Sequence, residues 1–159
     1  KDASLSDMVN KMIANLDSKL TSDLKNSIAT SNHSVYEILT IASLIEKEVK
    51  SDADREIVSG ILWKRLRAGV SLQVDATLVY ITGRKEIFEA DKKINSPYNT
   101  YFYRGLPKGP IANPGLSAIR AAVFPETSPY WYYLSAKNGK TIFSKTLEEH
   151  NRNKEIYLK

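Results

Sequence analysis

VYEILTIASLIEKEV, residues 35–49, is apolar on nearly every face until Glu46 and Glu48 near its end. A helix that is hydrophobic all round is buried among other elements, so this stretch reads as the central helix of the domain. Ser34 and Glu37 precede it at capping-box spacing, each able to satisfy a backbone group the first turn leaves open. Upstream, Leu5, Met8, Val9, Met12, Ile13, Leu16 and Leu20 recur at intervals of three and four, the stripe of a packing helix. The polar residues 25–34 then read as a connection. Downstream, Ser51 and Asp52 cap a third helix carrying Ile57, Val58, Ile61, Leu62 and Leu66. Arg65 and Arg67 complement the dipole at its end, and Gly69 stops it.

The character changes after Gly69. Residues 70–74, VSLQV, alternate like a short strand, and Asp75 stands as the cap of a helix over residues 76–81 ended by Gly83. Residues 96–115 are rich in Pro, Gly, Asn and Tyr, the composition of an ordered loop. Asn113-Pro114 has the form of an N-cap followed by Pro at the first helical position, opening a helix that reaches Val123. YWYYL (130–134) and KTIF (140–143) flank Asn138-Gly139, a hairpin signal. Thr146 and Glu149 make a capping box for a last helix running toward Leu158. The expected class is α+β: helix-rich at the start, with a small antiparallel sheet and a C-terminal helix.

With 159 residues, 42% of them hydrophobic, the chain is long enough for one domain with a real core. No apolar run approaches the roughly 18 to 20 residues that cross a bilayer. The opening Lys1-Asp2-Ala3-Ser4 lacks the apolar stretch of a signal peptide, and a start without Met suggests a piece of something longer. The absence of cysteine excludes disulfides, thiolate nucleophiles and Cys-bound metals. A net charge of +5 favours polyanionic surroundings, yet the basic residues are scattered and form no nucleic-acid motif, so no nucleic-acid partner is expected. Zinc-protease, nucleotide-loop and nucleophile-elbow patterns are absent, as is a glycine-rich turn for pyridoxal phosphate; no cofactor or metal is expected.

Carboxyl groups are the remaining chemistry. Glu46 and Glu48 lie two apart on a helix, about 200° around its axis, so they cannot both flank one glycosidic bond. An acid at the end of an apolar helix is desolvated, and its pKa rises toward the range of a proton donor. Glu46 shares a face with Leu39, Ala42 and Ser43, whereas Glu48 has Lys50 or Arg55 as an ion-pair partner, which favours Glu46; the spacing equally allows two structural helix-end acids. Asp75, with Gln73 and Thr77 beside it, reads either as a second carboxylate or as a plain N-cap. Tyr98, Asn99, Thr100, Tyr101 and Tyr103 form a loop able to stack on sugars and bond their hydroxyls, or simply to pack. His33 has no partner at metal-ligand spacing, and His150 beside Asn151 faces either a cleft or solvent.

Residues 41–48, IASLIEKE, resemble the signature helix of the endolytic murein transglycosylases, the MltG or YceG-like family. The likeness continues through SGILWKRL (59–66), LQVDATLVY (72–80), SPYNTY (96–101), GLP (105–107), PIANPG (110–115), AIRAA (118–122), YYL (132–134), Phe143 and His150-Asn151. These blocks run in order from about residue 35 to the end. Ala76 stands where the family often has Pro, and Val74 where it often has Thr.

The resemblance implies a YceG-like catalytic domain over residues 34–159, with residues 1–33 its edge or the tail of an upstream module. It implies non-hydrolytic cleavage of the bond between N-acetylmuramic acid (MurNAc) and N-acetylglucosamine (GlcNAc) within peptidoglycan strands, leaving 1,6-anhydro ends. Glu46 is implied as the acid and base. Ser43, Glu48, Gln73, Asp75, Thr77, Tyr98, Asn99, Thr100, Tyr101, Asn113, His150 and Asn151 are implied as binding or supporting groups. It further implies work at the extracytoplasmic face of the membrane, an anchor lying upstream, and cell-wall synthases (penicillin-binding proteins) as partners. A non-catalytic peptidoglycan-binding scaffold and a hydrolytic muramidase using Glu46 with Asp75 are the alternatives.

Overall fold

The computed structural model describes residues 4–158. Its elements are α1 (Leu5–Lys19), α2 (Ser22–Thr30), α3 (Val35–Glu48), α4 (Asp52–Arg67), α5 (Asp75–Thr82), a 3₁₀ turn (Asp91–Lys93), α6 (Leu116–Val123), β1 (Tyr132–Ser135), β2 (Thr141–Ser144) and α7 (Leu147–Tyr157). The α+β expectation is met. Both halves of the Ser34/Glu37 capping box form, and α3 buries an unbroken run from Thr40 to Ile45 as well as Ile38. It packs against α4, α5 and α6. Ala118, Ala121 and Ala122 give α6 a low-profile face for that approach, and the Trp63 indole of α4 donates to the Ala122 carbonyl at 2.9 Å.

One glycine on α4 sets how the chain returns over this bundle. A Cβ at Gly60 would fall 1.9 Å from the Glu126 carbonyl oxygen, so only glycine lets the segment after α6 cross there. The Glu126 N–H donates to Glu56 at 2.9 Å across the same crossing. The chain then enters the antiparallel hairpin, with Tyr133 opposite Phe143 and Leu134 opposite Ile142. Gly139, left-handed at φ 82°, closes the turn by donating its own N–H to the Ala136 carbonyl at 2.9 Å. The α7 helix packs on both strands.

Several local expectations change. The helix α1 forms with a full capping box, yet Leu5, Met8, Val9, Met12 and Ile13 are exposed; only Leu16 and Leu20 pack against the core. The supposed connection, residues 25–34, is largely taken up by α2, which starts before it, is capped by Thr21 and places Leu24 and Ile28, one turn apart, in the core. Residues 70–74 form no strand. The alternation survives as burial, Leu72 and Val74 inside and Gln73 outside, but the Gln73 N–H bonds the Thr100 carbonyl and the Val74 N–H the Thr100 hydroxyl instead of a neighbouring strand. Asp75 is the first residue of α5, not its cap, and Val74 precedes it without a side-chain bond. The helix α6 starts after Gly115, two residues beyond Asn113-Pro114. Thr146 caps α7, but Glu149 bonds the N–H of Lys145, so the reciprocal half of that box is displaced by one residue.

Candidate active site

The last turn of α3 sends its two glutamates into different surroundings. Glu46 accepts from Arg55 at 3.4 Å and from the Gly115 N–H at 3.0 Å, bracing α3 against α4 and the start of α6. The partner expected for Glu48 thus belongs to Glu46. Glu48 instead points toward α5, where the Ala76 N–H donates to it at 3.3 Å. That N–H is one of the donors a helix start leaves unused within the helix. Burial pushes the Glu48 carboxyl up to about 7. The bond from Ala76 opposes that rise, the nearby charge of Asp75 adds to it, and Tyr133 opposes it as a hydrogen-bonding neighbour.

Glu48 and Asp75 line the same cavity, of about 490 Å³, together with Lys47, Ala76, Val79, Tyr80, Lys85, Ile87 and Ile111. That volume falls within the range of small-molecule sites. Released from capping, Asp75 accepts a hydrogen bond from the Tyr101 hydroxyl. Burial raises the Tyr101 phenol above its ordinary value and Asp75 adds to the rise; Tyr133 is likewise raised by burial and then by Glu48. Both phenols therefore remain donors across the neutral range. Gln73 holds the approach to Asp75 in a left-handed conformation, φ 54°, with its side-chain oxygen accepting from the buried Arg65 at 2.8 Å. An αL residue other than glycine costs energy and is held only where its surroundings require it.

The other expected residues divide by position. Asn99 is fully buried, donating to the carbonyls of Asp91, Lys92 and Ile94 and accepting from the N–H groups of Tyr101 and Phe102, so it organises the loop. Thr100 and Thr77 share a buried 3.1 Å contact between hydroxyls, and Ser43 accepts from Ile111 inside the core. Tyr98 packs against Tyr80, whose ring lines the cavity. Asn113 and Asn151 are exposed and outside the cavity lining. His150 is buried, stacks on Tyr132 and has a lowered pKa through burial first; it also lies outside the lining. His33 stacks on Trp63, a packing role. Sequence reasoning missed Tyr133, Lys47 and Lys85 as neighbours of the carboxyls, and Arg65 as the partner of Gln73. Only Tyr133 had a usable signal, the period-two pattern of its strand, which puts Tyr133 and Phe143 on one face.

An α+β domain with a carboxyl-lined cleft at the end of a buried helix is the class these features define. The chain belongs to the YceG-like family, whose model matches residues 1–156. It is 40% identical over 159 residues to the endolytic murein transglycosylase of Bacillus subtilis (strain 168), covering 99% of this chain and 44% of that protein. It is 32% identical to the protein of the same name from Streptococcus pneumoniae serotype 2 (strain D39), covering 96% of this chain and 29% of that one. The crystal structure of a YceG-like protein from Listeria monocytogenes superposes with a TM-score of 0.88 at 38% identity, over 96% of this chain and 50% of that chain. The chain thus spans less than half the length of the curated relatives it matches. Among the described residues no helix is long and apolar enough to cross a membrane.

Proposed function

We propose that this domain is a lytic transglycosylase that cuts the MurNAc–GlcNAc bond inside peptidoglycan strands, with Glu48 rather than Glu46 as its acid and base. The observation that carries the assignment is the placement of Glu48 in the cavity, with burial holding its carboxyl near 7, while Glu46 is occupied by Arg55 and Gly115. The names of the two relatives supply the substrate. Protonated Glu48 donates to the glycosidic oxygen as the bond to the muramic anomeric carbon breaks, freeing the GlcNAc hydroxyl. The muramic C6 hydroxyl then attacks that carbon and gives its proton to the Glu48 carboxylate, closing the 1,6-anhydro ring. No water is consumed. The nucleophile is already held by the substrate, so one proton-transferring carboxyl suffices. Asp75, fixed by Tyr101, places negative charge near the carbon that becomes positive.

The substrate lies outside the cytoplasmic membrane, so the same reading puts the intact protein on that face, with an anchoring segment beyond this chain and cell-wall synthases as partners. The test is mass spectrometry of fragments released from purified peptidoglycan by the domain and by its Glu48→Gln and Glu46→Gln variants. Anhydro ends that disappear with Glu48→Gln and persist with Glu46→Gln are expected. Reducing ends in their place would make the domain a hydrolase, in which Glu48 and Asp75 share the work. Persistence of anhydro ends in a folded Glu48→Gln protein would remove Glu48 from the mechanism.

A further inference from the structure

The cavity holds more charge than proton transfer to a neutral sugar requires. Lys47, beside Glu48 on α3, and Lys85, beyond α5, both line it. Neither makes an ion pair or a hydrogen bond with any described residue, although two carboxyl groups line the same space. Val79, Ile87 and Ile111 add an apolar wall, and Tyr80 an aromatic one. A neutral saccharide is met by hydrogen-bonding groups and a ring face; two uncommitted ammonium groups next to an apolar wall match an anion attached to something partly apolar.

We infer that Lys47 and Lys85 form a subsite for a carboxylate carried on the glycan, with Val79, Ile87 and Ile111 receiving the apolar part of the same appendage. This rests on the transglycosylase reading, under which the muramic residue is the carrier. Its side group is a lactyl acid, either free or extended by a peptide that bears carboxylates, and both sources share the chemistry the lysines recognise. The subsite would make the domain select strands by what hangs from them as well as by the sugar backbone.

The test is binding of soluble strands to the full-length domain carrying Glu48→Gln, read by fluorescence anisotropy, so that cleavage does not enter. Three ligands are compared: native peptide-bearing strands, strands stripped of peptide to leave the lactyl carboxylate, and strands with every carboxylate converted to a neutral amide. Native strands are expected to bind roughly tenfold tighter than amidated ones, and Lys47→Gln with Lys85→Gln to erase that preference. Stripped strands that bind like native ones assign the subsite to the lactyl group, and stripped strands that bind like amidated ones assign it to the peptide. Equal binding of native and amidated strands overturns the inference. So does an equal loss of preference from Lys11→Gln with Lys19→Gln on α1, because the effect is then one of net charge. Failure of the transglycosylase reading appears separately, as absence of anhydro ends from the unsubstituted domain.

Discussion

Glu46 and Glu48 leave the same turn of the same helix, and the two sides on which they land differ in what they do to a carboxyl group. On the Glu46 side a guanidinium and a backbone N–H meet the carboxylate, and the charge is spent on joining α3 to its neighbours. On the Glu48 side burial outweighs the donors and the acid is held near 7. Under the proposed mechanism, competence for proton transfer comes from burial without an ion-pair partner among the described residues. Exchanging the surroundings, not the residue type, would exchange the roles.

The comparison breaks most visibly in activity. Glu48→Gln should lower the rate of anhydro-end formation by about three orders of magnitude, the scale of a lost general acid, whereas Glu46→Gln should stay within about tenfold of the parent, both measured on folded protein. If the two variants lose activity alike, the sides are not distinct. Next in size is the pH profile. With Glu48 required in its protonated form, turnover should fall about tenfold per pH unit above about 7; a flat profile to pH 9 would separate the raised pKa from the chemistry.

The Glu48→Gln substitution acts on stability with the opposite sign to its effect on activity. In the folded state Glu48 titrates at about 7 against 4.5 ordinarily, so between those values the folded protein binds more protons than the unfolded one. Stability therefore falls as pH rises through that window and the penalty persists above it. Glu48→Gln keeps an acceptor for Ala76 without the charge, and should stabilise the domain at pH 8 by up to about 3 kcal/mol in urea unfolding, with little gain at pH 4. On the other side, Glu46→Gln weakens the partly buried pair with Arg55 and should cost about 1 kcal/mol, with a smaller cost in high salt.

The helices α1 and α3 show how far sequence pattern reaches. Both begin at a serine with an acid three residues on, and both capping boxes form. The start of α3 was legible because capping depends only on residues within one turn. Burial was not: α3 buries seven residues and α1 none, although both are rich in apolar side chains. Replacing exposed Met12 by Lys should change stability by less than about 0.5 kcal/mol, the smallest effect expected here. Gln73 and Asp75 show the same division at the site. The segment's in-and-out alternation was readable, but its bonds to Thr100 and Arg65 come from residues distant in sequence or on another helix, and they turned an expected strand and cap into a left-handed kink followed by a carboxyl that pairs with Tyr101.

By itself the sequence determined the helix starts at Ser34, Ser51 and Thr146, the stops at Gly69 and Gly83, the hairpin around Gly139 and the family. It also confined the acid chemistry to a few carboxyls. Only the tertiary structure decided which of two neighbouring glutamates loses water and which gains Arg55, that Asp75 answers to Tyr101, and that two lysines share their cavity. Caps and turns depend on groups a few bonds away along the chain, whereas desolvation and charge pairing depend on whatever the fold brings within a few ångströms, which no local spacing encodes.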